Sequence, residues 1–215
     1  MSLLIDTNYD SALMSVDMKA ATRTYRMTAR AEAVRETRER ILDAVLALHQ
    51  QRLSSEISLA DVAAEAGVSV QTVLRHFGSR EGLVDAALEQ ATAAVQEERR
   101  AEPGDVAGAV RAIVDHYERR GDGVLLLLAQ EGTEAFAANV TSTGRAMHRR
   151  WVVDCFGPLL PRGARREEAV DLLVVATDVY TWKLLRRDRG LSVPRTRSRV
   201  ETLVNAVLSS VATPG

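Results

Sequence analysis

The stretch from Ser58 to Arg80, SLADVAAEAGVSVQTVLRHFGSR, leaves this chain little freedom in how it folds. Leu59, Val62, Ala63 and Ala66 fall at i, i+3, i+4 and i+7, which lays one narrow apolar stripe along a short helix. Ser58 is its natural N-cap, and Asp61 three residues on supplies the acidic partner of a capping box. Gly67 ends the helix, because glycine tolerates the left-handed backbone of a tight turn. Val68 then packs beneath the turn and Ser69 caps a second short helix. On that helix Val73, Leu74 and Phe77 are expected to face inward, leaving Val70, Gln71, Thr72, Arg75 and His76 outward. Two short helices joined by a tight turn, with small Ala63 and Ala66 allowing close approach, describe a helix-turn-helix whose second helix reads its target.

The run AxxAGVSxxTVxxHFxSR, from Ala63 through Gly67, Val68, Ser69, Thr72, His76 and Phe77 to Ser79 and Arg80, resembles the DNA-binding signature of tetracycline-repressor-type (TetR-family) transcriptional regulators. Two departures stand out. Leu74 occupies the place where that family usually has a phosphate-touching tyrosine, and Arg80 the place of a lysine opening the fourth helix. The first removes one expected contact; the second keeps the charge.

The chemistry of reading double-stranded DNA suits the residues on this segment. Gln71 can pair with adenine and Arg75 can bond guanine with two donors. Ser69, Thr72 and His76 are short polar groups suited to the phosphate backbone, and Arg80 adds charge at a helix N-terminus, where anions already bind well. Val70 either touches a thymine methyl or fills space.

Ala, Leu, Val, Arg and Glu dominate while aromatics are only 4%, so the fold expected is all-α. The 215 residues, 46% apolar, suffice for one large or two small cores. A net charge of −1 gives no general attraction to nucleic acid, so a basic surface must be local. Between Lys19 and Arg40 there are seven Lys/Arg against three acids. Each of these arginines could equally sit on a solvated face in an i,i+4 pair such as Glu36 with Arg40. The single Cys155 cannot form an internal disulfide and suits a reducing cytoplasm. No apolar run approaches the roughly 20 residues of a membrane span.

Residues 1–27 lack a sustained period and are expected to be a flexible extension. A helix-turn-helix domain over 28–81 opens with a long helix from Thr28 to Gln51, on which Val34, Ile41, Val45 and Leu48 are apolar. A fourth helix over 79–100 connects it to a helical effector-binding and dimerisation domain over 82–215, about nine helices in all. Glu102-Pro103-Gly104 breaks the chain after that connector. Helices are expected at 105–120 and 124–130, with Gly121-Asp122-Gly123 as a turn between them, and another up to Leu160. Residues 167–185 form a helix apolar most of the way round, which requires cover on two sides. Residues 200–211 carry a clean stripe. Leu172, Leu173, Ala176, Val179, Tyr180, Leu203, Val204 and Val207 are the candidates for a two-fold bundle with a second copy, the alternative being an intrachain core.

The resemblance implies a homodimeric regulator, a repressor released from a palindromic operator by a small molecule bound among helices that here span about 105–160. Candidate lining groups are Tyr117, Gln130, Phe136, Arg145, His148 and Trp151, though each residue type alone also suits packing. The competing reading is an architectural or adaptor protein without such a switch. An enzyme is not expected. His49, His76, His116 and His148 show no metal-ligand spacing, the lone cysteine makes no cluster, and no cofactor motif is visible.

Overall fold

In the computed structural model the backbone is described for residues 9–49 and 51–212, and within these the side chains from Met27 onward save Ser54, Ala135 and Ala212. The helix-turn-helix follows from its local chemistry. Asp61 N donates to Ser58 Oγ at 3.2 Å while Ser58 N donates to Asp61 Oδ2 at 2.8 Å, closing the capping box. Helix α2 (Leu59–Glu65) ends where Gly67 takes φ +67°, and Val68 N reaches back to Ala63 O at 2.9 Å. That bond satisfies a carbonyl orphaned at the helix end. Ser69 Oγ accepts from Thr72 N and starts α3 (Val70–Phe77). Gly78 at φ +78° stops α3, and Ser79 caps α4 (Arg80–Glu98) through Gly82 N.

Helix α1 (Tyr9–His49) crosses this motif, and α1 to α4 share one core of Ile41, Leu42, Val45, Ile57, Val62, Ala63, Ala66, Val73, Leu83 and Ala87. Val73 is wholly buried there, which stabilises the packing by about 1.5–3 kcal/mol. Three expectations change. Helix α1 begins at Tyr9 instead of Thr28, because residues 9–49 contain neither Gly nor Pro to stop a helix; residues 1–8 lie outside the described residues. Val34 is exposed, as are its described neighbours from Met27 to Glu36, and the core of α1 starts at Ile41. Leu74 is 37% exposed instead of inward, since it stands one residue, about 100°, beyond the buried Val73.

A second core is built from α5 (Val106–Gln130), α6 (Ala135–Phe156), α7 (Ala164–Ala176), α8 (Val179–Lys183) and α9 (Val193–Ala212), and it includes Val110, Ile113, Phe156, Leu173, Trp182 and Val204. The break at Pro103 is docked: Gly104 N donates to Cys155 O at 2.7 Å. No strand occurs among the described residues, so the chain is all-α. The expected turn at Gly121-Asp122-Gly123 is absent, and α5 runs through it as one helix. Gly121 serves a close approach instead: a Cβ there would stand 2.5 Å from Trp182 Cζ3. The helix expected over 167–185 is interrupted. Thr177 closes α7, Asp178 caps α8 by accepting from Tyr180 N at 2.8 Å, and a π-helical turn follows over Leu184–Asp188.

Two helical glycines therefore behave oppositely on substitution. Gly121→Ala should cost about 1–3 kcal/mol through overpacking on Trp182. Gly144→Ala, where nothing lies within 4 Å, should gain up to about 1 kcal/mol of helix propensity. Urea unfolding of both variants checks this, and a stable Gly121→Ala protein would refute the close-approach explanation.

Candidate functional site

The outer face of α3 gathers the residues singled out for DNA contact. Val70, Gln71, Leu74 and Arg75 are exposed, and Thr72 and His76 are half-buried. Ser69 is committed to the cap, and its hydroxyl also lies 3.0 Å from Thr72 Oγ1. Beneath the face, the Arg38 guanidinium sits 4.5 Å from the Phe77 ring centroid, so α1 contributes a cation to the edge of α3. Burial, then Arg75 and Arg38, hold the His76 imidazole below its ordinary pKa, which keeps it neutral. Arg80 opens α4, and together with burial its charge depresses His49 at the end of α1. Arg38 was visible in the sequence only as one of several basic residues; its nearness to α3 depends on how α1 crosses Phe77.

A second concavity of about 470 Å³ opens between α4, α5, α6 and the α7–α8 junction. Its walls are mostly aliphatic, with Leu88, Val95, Val124, Leu128 and Val174, and polar groups converge at the end of α4. There Glu98 is tied to α5: Arg120 Nη2 donates to it at 2.8 Å, and His116 Nδ1 lies 2.8 Å from Glu98 Oε2. Arg99 Nη2 donates to His116 Nε2 at 2.8 Å, which leaves the imidazole proton on Nδ1, facing Glu98. Burial pushes the Glu98 carboxyl up, but the hydrogen bonds from Arg120 and His116 outweigh it and hold its pKa at about 2. Burial and the Arg99 charge push His116 down to about 3, and burial with Arg99 pushes His148 down to about 4. Thr177 donates to Leu173 O and so accepts from His148 Nε2, 3.2 Å away. Burial raises the Asp178 carboxyl on the same wall.

Of the residues expected to line such a space, Tyr117, Arg145 and His148 do so. Trp151 lines an adjoining cavity of about 540 Å³ and donates Nε1 to Arg99 O at 2.7 Å. Gln130 and Phe136 lie elsewhere. Gln130 Nε2 donates to Leu126 O, one turn back on α5, and Phe136 packs 4.6 Å from the His49 ring. The sequence reading missed Arg99, His116, Arg120 and Asp178, which come from the end of α4, one turn of α5 and the cap of α8, far apart in the chain. The candidates for pairing with a second copy divide. Leu173, Ala176, Val179 and Val204 belong to the chain's own core and are not free to meet a partner; they lie on the inner side of the stripe. Leu172, Tyr180 and Leu203 are exposed, as are Val175 and Leu184, and Val207 is half-buried.

The all-helical fold and the α2–α3 motif define a helix-turn-helix DNA-binding protein. Residues 41–87, which hold the helix-turn-helix, match the model of bacterial regulatory proteins of the tetR family. The fold is also that of a transcriptional regulator from Rhodococcus sp. Rha1, with TM-score 0.61 and 16% identity over 83% of this chain and 99% of that one. A tetR-family transcriptional regulator from Streptomyces coelicolor gives TM-score 0.59 at 20% identity, covering 81% of this chain and 83% of that one. A regulator from Pseudomonas aeruginosa PAO1 gives 0.60 at 19%, covering 80% and 90%. At these identities the likeness establishes the fold. No curated protein matches the chain. A DNA-binding regulator of this type is not an enzyme.

The buried histidines set a pH dependence. In the unfolded chain His116 and His148 take up protons near the ordinary 6.5, whereas in the folded protein they stay neutral until about 3 and 4. The unfolded state therefore binds more protons below 6.5, and stability falls with pH in that window, by about 1–2 kcal/mol per histidine between pH 7 and 5. Denaturant titrations at those two pH values should show the loss, and His116→Gln should reduce it. An unchanged slope in that variant would count against a neutral His116.

Proposed function

We propose that this chain is a homodimeric repressor that reads a palindromic operator with α3 and releases it when a small molecule enters the cavity at the end of α4. The observation that carries the proposal is the course of α4 itself. It starts at Ser79, one residue beyond the glycine that ends α3, and finishes at Arg99, which lines the cavity. A helix of 19 residues is a rod of about 28 Å, so a shift at one end displaces the other. On this reading residues 28–81 form the reading domain, extended N-terminally by the rest of α1, and 82–215 the effector and dimerisation domain, with α4 shared. Ser69, Val70, Gln71, Thr72, Arg75, His76 and Arg80 are the proposed DNA contacts, and Arg38 joins them. A DNA partner places the protein in the compartment that holds the genome. Among the described residues no helix is long and apolar enough to cross a membrane.

Two readers must sit about 34 Å apart to enter successive major-groove faces of one operator. A ligand that favours another spacing needs about 1–3 kcal/mol of coupling to weaken binding 5- to 150-fold. The large lined cavity favours this reading over a DNA-binding protein without a switch.

Arg75→Ala should weaken binding to the DNA selected from a random pool by about 1–3 kcal/mol and relax one position per half-site, whereas Arg80→Ala should weaken all sequences alike. Fluorescence anisotropy with selected and scrambled duplexes separates the two. Undiminished binding by a Gln71→Ala, Arg75→Ala double variant would remove α3 as the reader.

Pairing is proposed through the outer patch of Leu172, Val175, Tyr180, Leu184 and Leu203. Because Val175 is 65% exposed within one chain, Val175→Glu leaves the fold intact yet buries an unpaired charge at the seam. Sedimentation equilibrium should show the unaltered protein as a dimer and the variant shifted to monomer. A monomeric unaltered protein would contradict the dimer.

A further inference from the structure

Arg99 is the exception among the cations of the cavity wall. Arg120 is neutralised by Glu98, Arg145 by Glu131 at 2.7 Å, and Arg149 by Glu167 and Asp171. Arg99 is only 9% exposed and lines both cavities, yet among the described residues no carboxylate comes within 4.0 Å of it. What it has instead is one neutral imidazole nitrogen, on His116, and the face of Tyr117 at 5.6 Å. Its Nε, shut away from solvent, has no hydrogen-bond partner. The neighbouring Glu98 is taken up by His116 and Arg120, and Asp178 is committed to capping α8. A guanidinium held out of water without a counter-ion is unfavourable, and an anion brought to it relieves that. Arginine also bonds a carboxylate with paired donors, more strongly than it bonds a neutral oxygen. The rest of the wall is hydrocarbon, and the volume of about 470 Å³ falls within the range of small-molecule sites.

We infer that the cavity, read above as the effector site, takes an apolar monocarboxylic acid, with its carboxylate on Arg99 and its hydrocarbon part along Leu88, Val95, Val124 and Leu128. Glu98 and Asp178 act on Arg99 only from beyond salt-bridge distance, so its guanidinium has a place for one directly bonded carboxylate. Arg99 is also the C-cap of α4, and its own carbonyl is held by Trp151 Nε1, so the anion would act on the last turn of the helix that carries the reader at its other end.

The test is calorimetric titration of the full chain with medium-chain and aryl-substituted carboxylates and their matched primary amides. The acids should bind about tenfold or more tightly than their amides, and the preference should vanish in Arg99→Met or Arg99→Gln proteins that retain cooperative thermal unfolding. Should both variants fail to fold, the comparison of acid with amide in the unaltered protein decides alone. Equal affinity for acid and amide, absence of binding by any acid tried, or a preference that survives in a folded Arg99 variant would overturn the inference. Operator titration with each bound acid is read separately. Acid preference without any change in operator affinity upholds the ligand chemistry and removes the switch.

Discussion

The junction between Glu98 and α5 is the constraint on which the rest of the molecule depends. Leu83 and Ala87 root the first half of α4 in the N-terminal core, and Glu98 fastens its far end to His116 and Arg120 of α5. The Glu98–Arg120 pair is mostly shielded from water, the geometry in which loss of one partner is most damaging. The bonds from Trp151 Nε1 to the Arg99 carbonyl and from Arg99 to His116 add to that tie. With it, the two hydrophobic cores are joined by a rod whose last residue borders a cavity.

Much of the N-terminal fold was legible because it is written locally. Ser58 with Asp61, Gly67, Ser69 and Ser79 each act on backbone groups within three or four residues, so spacing alone specifies them. Leu74 shows the limit of the same reasoning. A residue next to a buried position on a short helix can fall on either side, and here the apolar side chain stands on the exposed face with Arg75. The start of α1 was misplaced for a different reason: helix propensity without apolar periodicity leaves no stripe to detect.

The C-terminal half was less legible because its decisive contacts span long separations. Gly121 looked like a turn, yet it accommodates Trp182, and only the packed structure brings the two together. The stripes on residues 167–185 and 200–211 marked apolar positions, but periodicity does not say which neighbour covers them, and Leu173, Ala176 and Val204 are covered by their own chain. Likewise the polar end of the cavity is assembled from α4, α5, α6 and α8. Tyr117, Arg145 and His148 were found by residue type, whereas Arg99 was hidden in an Arg-Arg pair that reads as a solvated helix end.

If α4 transmits between reader and cavity, the transmission is reciprocal, and DNA at α3 must be felt at the cavity even with no ligand present. Amide hydrogen exchange of the full chain, with and without saturating DNA selected from a random pool, measures this directly. Protection should change in the last turn of α4 and in the segments carrying His116 and His148, far from the bound duplex. Protection confined to α2, α3 and the start of α4, with exchange around Arg99 unaltered, would mean that the two cores do not communicate through this helix.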